Sequence, residues 1–342
     1  MKILDDLLIG KDLTIAQASL LFRRFFQQKN VTDEFRKKVL VFLQKKGEHS
    51  NELTALVRTI RKRERLPFRP PFSNLVDGCG TGGDDKKTFN ISTLACLVAA
   101  GAGAHIAKHG NRSVSSQCGS ADILESLGVK IDALPARTAQ ILKQCGFAYL
   151  HAPLYHPLMA QIQPVRKELA RKGIKTIFNL AGPLLNPLQV SRQIIGVYRK
   201  DLVPVMAETA KELNSKRAMI LWNTGGFDEL TTTHPSFAIE LNRRSLKKKY
   251  ISPSAFGFKR SNAKKIRGGN RATNLKIALN LLSGLDQGVR RDTIVLNAAA
   301  LLYISGRSKN LREGIKLASQ SINTGSARNV LKTVIRLSHD SR

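Results

Sequence analysis

The sequence predicts an α/β protein in two parts, a small all-helical domain followed by a larger α/β domain with a mostly parallel central sheet. Three observations predict this. The first 66 residues carry apolar positions at helical spacing. The segment LPFRPPF, with Pro67, Pro70 and Pro71, cannot continue a helix and reads as a linker. Beyond it, short apolar runs alternate with helical stretches, as in a buried sheet whose strands are joined by covering helices. At 342 residues the chain can bury one large core or two unequal domains.

The elements follow in order. In VTDEFRKKVLVFLQKKG, Thr32 caps a helix, Phe35, Val39, Phe42 and Leu43 share a face, and Gly47 stops it. Another helix starts at Ser50, with Leu53, Val57 and Ile60 on one side. Leu75-Val76 is a strand leading into a glycine loop, and Ser92 to Ala102 is a helix of small residues. His105-Ile106-Ala107 is strand-like and Ala121 to Leu127 helical, while Phe147 to Leu150 and Met219 to Trp222 suit buried strands. HPLMAQIQPVRKEL reads as a helix interrupted by Pro164. Ligands of such sheets collect at the carboxyl ends of the strands, where the glycine loop falls.

Composition narrows the class. A hydrophobic fraction of 42% fits a globular protein and not a disordered tail. No apolar run is long enough to span a bilayer, and MKILDDLLIGKDLT has acids where a secretory signal needs an unbroken apolar stretch. A cytoplasmic protein is expected. Cys79, Cys96, Cys118 and Cys145 show no CxxC spacing and read as reduced and non-ligating. The net charge of +31 favours anionic ligands and admits nucleic acid. Its basic runs are scattered, however, without the interleaved aromatics of a base-stacking platform.

Three loops carry the chemistry. DGCGTGGDDKKTFNIST, from Asp77 to Thr93, is neither a Walker loop nor a dinucleotide fingerprint. Its Gly80-Thr81-Gly82-Gly83 lets backbone amides approach an anion, and Ser92 and Thr93 open a helix whose free amides do the same. Two anion-binding devices in one strand–loop–helix unit suggest a ligand with phosphates at both ends. KHGNRSVSSQCGSAD gathers Lys108, His109, Asn111, Arg112 and four serines beside a helix start at Ser120. NTGGFDELT ends an apolar run with Asp228-Glu229, a pair suited to Mg²⁺, which prefers carboxylates plus phosphate oxygens to an all-protein cage. Magnesium arriving with the phosphates explains why Asp84 and Asp85 share a loop with anion-binding amides. Two further stretches supply His156 with Arg166, and Gly182-Pro183 with Asn186-Pro187. Arginine suits a bidentate grip on a carboxylate.

GTGGD at 80–84, FNIST at 89–93, KHGNRSVSS at 108–116, GSAD at 119–122, PVRKEL at 164–169, FNLAGPLLNP at 178–187 and DEL at 228–230 together resemble the anthranilate phosphoribosyltransferase family. YHP at 155–157, KGEHSNEL near the start and LNAAALLYISGRSKNLREGIKLA near the end extend the similarity over essentially the whole chain. The resemblance implies a nucleoside phosphorylase/phosphoribosyltransferase-like fold. Residues 1–70 with about 171–192 would form a discontinuous helical, dimer-forming domain, and 71–170 with 193–342 the α/β domain that binds phosphoribosyl pyrophosphate. It implies binding of that sugar by Gly80, Gly82, Gly83, Asp84, Thr88, Asn90, Ser92, Thr93, Lys108, Ser116 and Ser120. Mg²⁺ would sit on Ser92, Asp228 and Glu229. Anthranilate would lie near Gly80, His109, Asn111, His156, Arg166 and Gly182, with Lys108 and Arg166 catalytic. The reaction implied is displacement of pyrophosphate from the ribose anomeric carbon by the anthranilate amine, the second step of tryptophan synthesis from chorismate, in a homodimer with Mg²⁺ as cofactor.

Some positions depart from the family pattern. KELARKGIKTI, between Arg166 and Phe178, is about three residues longer, with Lys175 where arginine is usual. Cys79 and Cys118 replace other small or apolar residues, and the basicity is unusual. An inactive relative binding nucleic acid would show eroded GTGGD, KHGNR or DE segments, whereas all three are intact. A pyrimidine nucleoside phosphorylase would need phosphate and base motifs that are absent. A transferase for another aromatic acceptor stays open, because His156, Arg166 and Gly182 do not fix the ring substituents.

Overall fold

The computed structural model describes residues 2–27, 31–64, 66–112 and 117–340. Four helices come first: α1 (Lys2–Leu8), α2 (Ile15–Phe25), α3 (Asp33–Lys46) and α4 (Ser50–Arg63). Thr32 caps α3 as expected, its hydroxyl accepting from the Phe35 amide at 3.2 Å, and Gly47 ends the helix at a φ of +90°. The buried Glu52 ties the bundle together. It accepts from the His49 amide at the start of its own helix and from the Leu13 amide, and it pairs with Lys46.

The strands are β1 (Val76–Gly80), β2 (Ile106–Gly110), β3 (Phe147–His151), β4 (Arg192–Gly196), β5 (Arg217–Asn223), β6 (Ser236–Asn242) and β7 (Ser245–Ile251). They form one sheet in the order β3-β2-β1-β4-β5-β6-β7. β1 to β5 pair in parallel, and β6 and β7 add an antiparallel edge. The mostly parallel sheet is as the sequence predicts, although β4, β6 and β7 are not among the strands read from it. β7 escapes because its SLKKKYI exposes Lys247 and Lys248 on an edge, where charge blocks pairing with another chain.

Side chains alternate across the sheet with the period of two that strands impose. In β5, Met219 and Leu221 face a cluster built with the helices Ile91–Gly101 (α5), Val289–Ser305 and Ser326–His339. Ala218 and Ile220 face the other way, into a cluster with α2 to α4 and the helices Gln163–Arg171, Ile177–Leu184 and Leu202–Glu212. Phe178 packs there against Phe25 and Phe26, with ring centroids 5.9 and 6.2 Å apart. The helical stretch HPLMAQIQPVRKEL is interrupted ahead of Pro164, as expected: Pro157–Ala160 ends, Gln161 and Ile162 turn, and Gln163–Arg171 begins. Pro164 sits in the first turn of the second helix, where no intrahelical partner for its missing N–H is needed. Among the described residues no helix is long and apolar enough to cross a membrane.

One polar contact inside this frame holds the site's foundations. Asp77 of β1 is fully buried, and its carboxylate accepts from the His109 amide of β2 at 3.2 Å and from the Asn186 amide group at 2.9 Å. Asn186 also donates to the Ala107 carbonyl at 2.8 Å and accepts from the Leu188 amide. Burial pushes Asp77 up to about 6, against the lowering pull of Lys108 and Asn186. Asn186→Ala strips donors from two buried acceptors at once and should cost about 3 kcal/mol of stability. Urea unfolding of parent and variant measures the difference.

Candidate active site

The carboxyl ends of the parallel strands converge. β1 ends at Gly80, β2 at Gly110, β3 at His151, β4 at Gly196 and β5 at Asn223. Strand order reverses between β1 and β4, which opens a crevice at that point. The glycine loop leaves β1 there, and the Thr81 amide bonds the Gly196 carbonyl at 2.9 Å. Gly82 and Gly83 have φ values of +65° and +78°, a conformation that L side chains rarely adopt. Gly80 and Gly196 are required for another reason. A β-carbon on Gly80 would lie 2.1 Å from an Asp228 carboxylate oxygen, and one on Gly196 would lie 1.4 Å from the Asp228 carbonyl oxygen.

Asp228 and Glu229 enter this crevice from the loop after β5. Asp228 Oδ2 accepts from the Gly82 amide at 2.9 Å. Glu229 Oε1 accepts from the Ser92 amide at 3.2 Å, and its Oε2 accepts from the Thr88 hydroxyl at 3.3 Å. Both anion-binding devices are thus engaged by the chain's own carboxylates. Asp84 stands beside them, with one oxygen accepting from the Lys86 amide.

The electrostatics follow from this crowding. Burial, then the neighbouring Asp84, pushes Asp228 up to about 7. Burial and the charges of Asp228 and Asp84 hold Glu229 well above the ordinary glutamate range, and burial also raises Asp84. A divalent cation would relieve all three. Among the described residues no three His, Cys, Asp or Glu side chains are grouped closely enough to hold an ion alone. The donor set therefore fits Mg²⁺, which takes one or two carboxylates and completes its shell with water and phosphate oxygens.

Lys108 lies at the crevice floor, 1% exposed, its ammonium donating to the Gly78 carbonyl at 2.8 Å and to Ser92 Oγ at 3.5 Å. Asn90 joins the two loops by donating to the Cys118 and Gly119 carbonyls, and its own Oδ1 is buried with no partner among the described residues. Thr93 is fully buried and donates to the hydroxyl of Ser120, which opens the helix Ser120–Ser126 (α6). Ser116 lies outside the described residues. Arg112 is committed elsewhere, paired to Glu125 and Asp122 of α6.

His109 and His156 meet at 3.2 Å between their Nε2 atoms, with the Gly182 backbone against His109. Burial, then the charge on His156, drives His109 well below the ordinary histidine value. Arg166 stacks over Phe178 at 5.6 Å, and burial alone lowers its pKa. No described contact joins Arg166 or the exposed Asn111 to the two imidazoles. A cavity of about 490 Å³ opens beside the loop, lined by Gly83, Asp84, Lys86, Lys175, Tyr198 and Arg199 among others. Lys175, in the longer segment, donates to the Gly83 carbonyl and lies 4.3 Å from the Tyr198 ring centre.

Sequence reasoning did not assign Asp77, Gly196 or Glu64 to the site. Asp77 heads the quoted glycine stretch but lies inside the buried strand β1, Gly196 ends the buried strand β4, and Glu64 hides in the basic run RKRER. Only the proline-flanked Asn186 carried a local signal.

The profile of the glycosyl transferase family a/b domain matches residues 73–328, a span that holds the parallel sheet, its glycine loop and the Asp228-Glu229 pair. The chain belongs to the anthranilate phosphoribosyltransferase family. It is 40% identical over 340 residues to the Bacillus cereus anthranilate phosphoribosyltransferase, covering 98% of this chain and 97% of that one. With the Bacillus mycoides enzyme it shares 42% over 301 residues, 88% of this chain and 87% of that one. The crystal structure of the Thermus thermophilus anthranilate phosphoribosyltransferase superposes with a TM-score of 0.91 at 34% identity, covering 99% and 100% of the two chains. The Saccharomyces cerevisiae enzyme in complex with phosphoribosyl pyrophosphate and Mg superposes at 0.83 with 28% identity, covering 95% and 92%.

The raised acids set a pH dependence. Asp228 titrates near 7 in the fold against an ordinary value of 3.8, so the folded chain holds an extra proton between those values. This contribution to stability is full below 3.8 and is lost as pH rises through about 7. Thermal midpoints without divalent ions should therefore fall across that window more steeply for the parent than for Asp228→Asn. Equal slopes would contradict the raised proton affinity.

Proposed function

We propose that this chain transfers the phosphoribosyl group of phosphoribosyl pyrophosphate to the amine of anthranilate, releasing pyrophosphate, in tryptophan synthesis. The observation that carries the reading is the pair of carboxylate–amide contacts, Asp228 on Gly82 and Glu229 on Ser92, above the buried Lys108. Amides, ammonium and acids in one crevice suit a sugar bearing phosphates at both ends.

In this reading Gly80, Gly82, Gly83, Asp84, Thr88, Asn90, Ser92, Thr93, Lys108 and Ser120 hold the sugar phosphates. Asp228, Glu229 and Ser92 hold Mg²⁺, which neutralises charge on the departing pyrophosphate when bound. Lys108 adds a fixed positive charge at the same place. Gly80, His109, Asn111, His156 and Gly182 receive anthranilate, with Arg166 turned to its carboxylate. The anomeric carbon passes through an oxocarbenium-like transition state, so no protein nucleophile is required and catalysis rests on positioning. Residues 1–70 with about 171–192 are taken as the helical, dimer-forming domain. Leu8, Ile9 and Leu20 support this, because they leave apolar surface at that end for a partner to cover.

Loss of anthranilate fluorescence in the presence of phosphoribosyl pyrophosphate and Mg²⁺ tests the reaction. No turnover by folded protein would reject it. Arg166→Ala should raise the anthranilate KM roughly ten- to hundredfold, the loss of one charge-assisted contact, and leave the sugar KM nearly unchanged. Asp228→Asn combined with Glu229→Gln should move the magnesium titration midpoint upward. Parent-like curves in both titrations would refute the residue assignment.

A further inference from the structure

Glu64 caps the end of α4, where the helical part gives way to the proline-rich linker, and its amide bonds the Ile60 carbonyl. Its side chain turns inward. Glu64 Oε2 lies 2.6 Å from His156 Nδ1, with the Glu64 side chain 11% and the His156 side chain 7% exposed. Glu64 Oε1 is buried and finds no partner among the described residues. His156 Nε2 in turn lies 3.2 Å from His109 Nε2, the rings meeting edge to face at 74°. His109 is fastened from behind by its amide bond to Asp77. A carboxylate, two imidazoles and a buried β-strand thus form one hydrogen-bonded line from the linker to the acceptor side.

The same turn of α4 also reaches the other wall. Arg61 donates to the Leu184 carbonyl at 2.7 Å, at the end of the helix that carries Gly182. Burial lowers Arg61 to about 10. One helical turn therefore touches both segments to which the acceptor is assigned.

Hydrogen-bond chemistry defines what Glu64 does. A carboxylate only accepts, so His156 must present an N–H at Nδ1. Two ring nitrogens 3.2 Å apart need one proton between them, so the state of His156 Nε2 sets that of His109 Nε2. Without Glu64 both the tautomer and the ring orientation of His156 are released, and those of His109 with them. The ionisable groups facing the pair are Glu64, Lys108, His151 and the Asp77 behind His109.

We propose that Glu64 is a positioning residue for the acceptor site, acting through His156 to fix the orientation and proton arrangement of the His156–His109 pair. The proposal rests on the acceptor placement given above, and the test separates the two. Glu64→Gln keeps the shape and removes the charge. It should raise the anthranilate KM about tenfold while the phosphoribosyl pyrophosphate KM stays at the parent value, and Glu64→Asp should recover part of the loss. Equal shifts in both KM values, or parent kinetics, overturn the proposal. Parent kinetics for Glu64→Gln alongside a large Arg166→Ala effect would sink this proposal and leave the acceptor placement standing. Parent kinetics for Arg166→Ala would sink the placement instead. Nitrogen NMR of the ¹⁵N-histidine-labelled parent needs no variant and so remains decisive if Glu64→Gln fails to fold. His156, assigned by its loss in His156→Asn, should show a protonated Nδ1, and an unprotonated Nδ1 overturns the proposal.

Discussion

The site depends on carboxylates occupying backbone amides that suit phosphate. Gly82 and Ser92 each donate an N–H into the crevice, and Asp228 and Glu229 accept them. The arrangement satisfies the amides but confines two acids, with Asp84 beside them, where burial disfavours their charge. It exists only because β1 and β4 end side by side at the switch point, at Gly80 and Gly196, and because those two glycines carry no side chain. The Asp228 loop passes where β-carbons on those glycines would stand. A ligand that brings phosphate oxygens for the amides and a dication for the acids replaces a strained pairing with two favourable ones. Crowding in the free site is thereby turned into binding energy for that ligand alone.

Beneath this lies a second layer that fixes geometry. Lys108 and His109 are consecutive on β2, so their side chains leave opposite faces of the strand. One reaches Gly78 and Ser92, the other His156. Asp77 holds the β2 backbone between them, and Asn186 holds Asp77. The polar cluster around Lys108 and the one around His109 are therefore carried on opposite faces of one buried strand, a rigid support for both.

How much of this was legible follows from the same physics. The glycine loop and the DE pair stood out because glycines in series and adjacent acids are informative in a chain with 25 acids against 56 basic residues. Of the parallel strands that feed the site, β1, β2, β3 and β5 showed as apolar runs because they are buried on both faces, whereas β4 did not. β7 did not, since an edge strand of lysines looks like a solvated loop. Pro164 marked a break correctly, because its ring bars the preceding helical turn while its own missing N–H costs nothing in the first turn of the next helix. Asp77 and Glu64 were illegible for a different reason. Their roles come from burial against partners 32 and 92 residues away in sequence, and no local pattern encodes such contacts.

The net charge of +31 acquires a meaning from this layout. Asp84, Asp228 and Glu229 lie in the crevice, while many of the lysines and arginines stand on the outer surface. Lys247 and Lys248 on the exposed edge strand are among them. A surface of one sign raises the local concentration of oppositely charged small ligands and speeds their arrival, an effect that salt weakens. Both substrates proposed for this chain are anions, and the released pyrophosphate is one too. The field therefore favours capture of the substrates and also holds the product back. Basicity on the outside and acidity at the cradle are complementary parts of a single electrostatic arrangement, and neither requires a nucleic-acid partner.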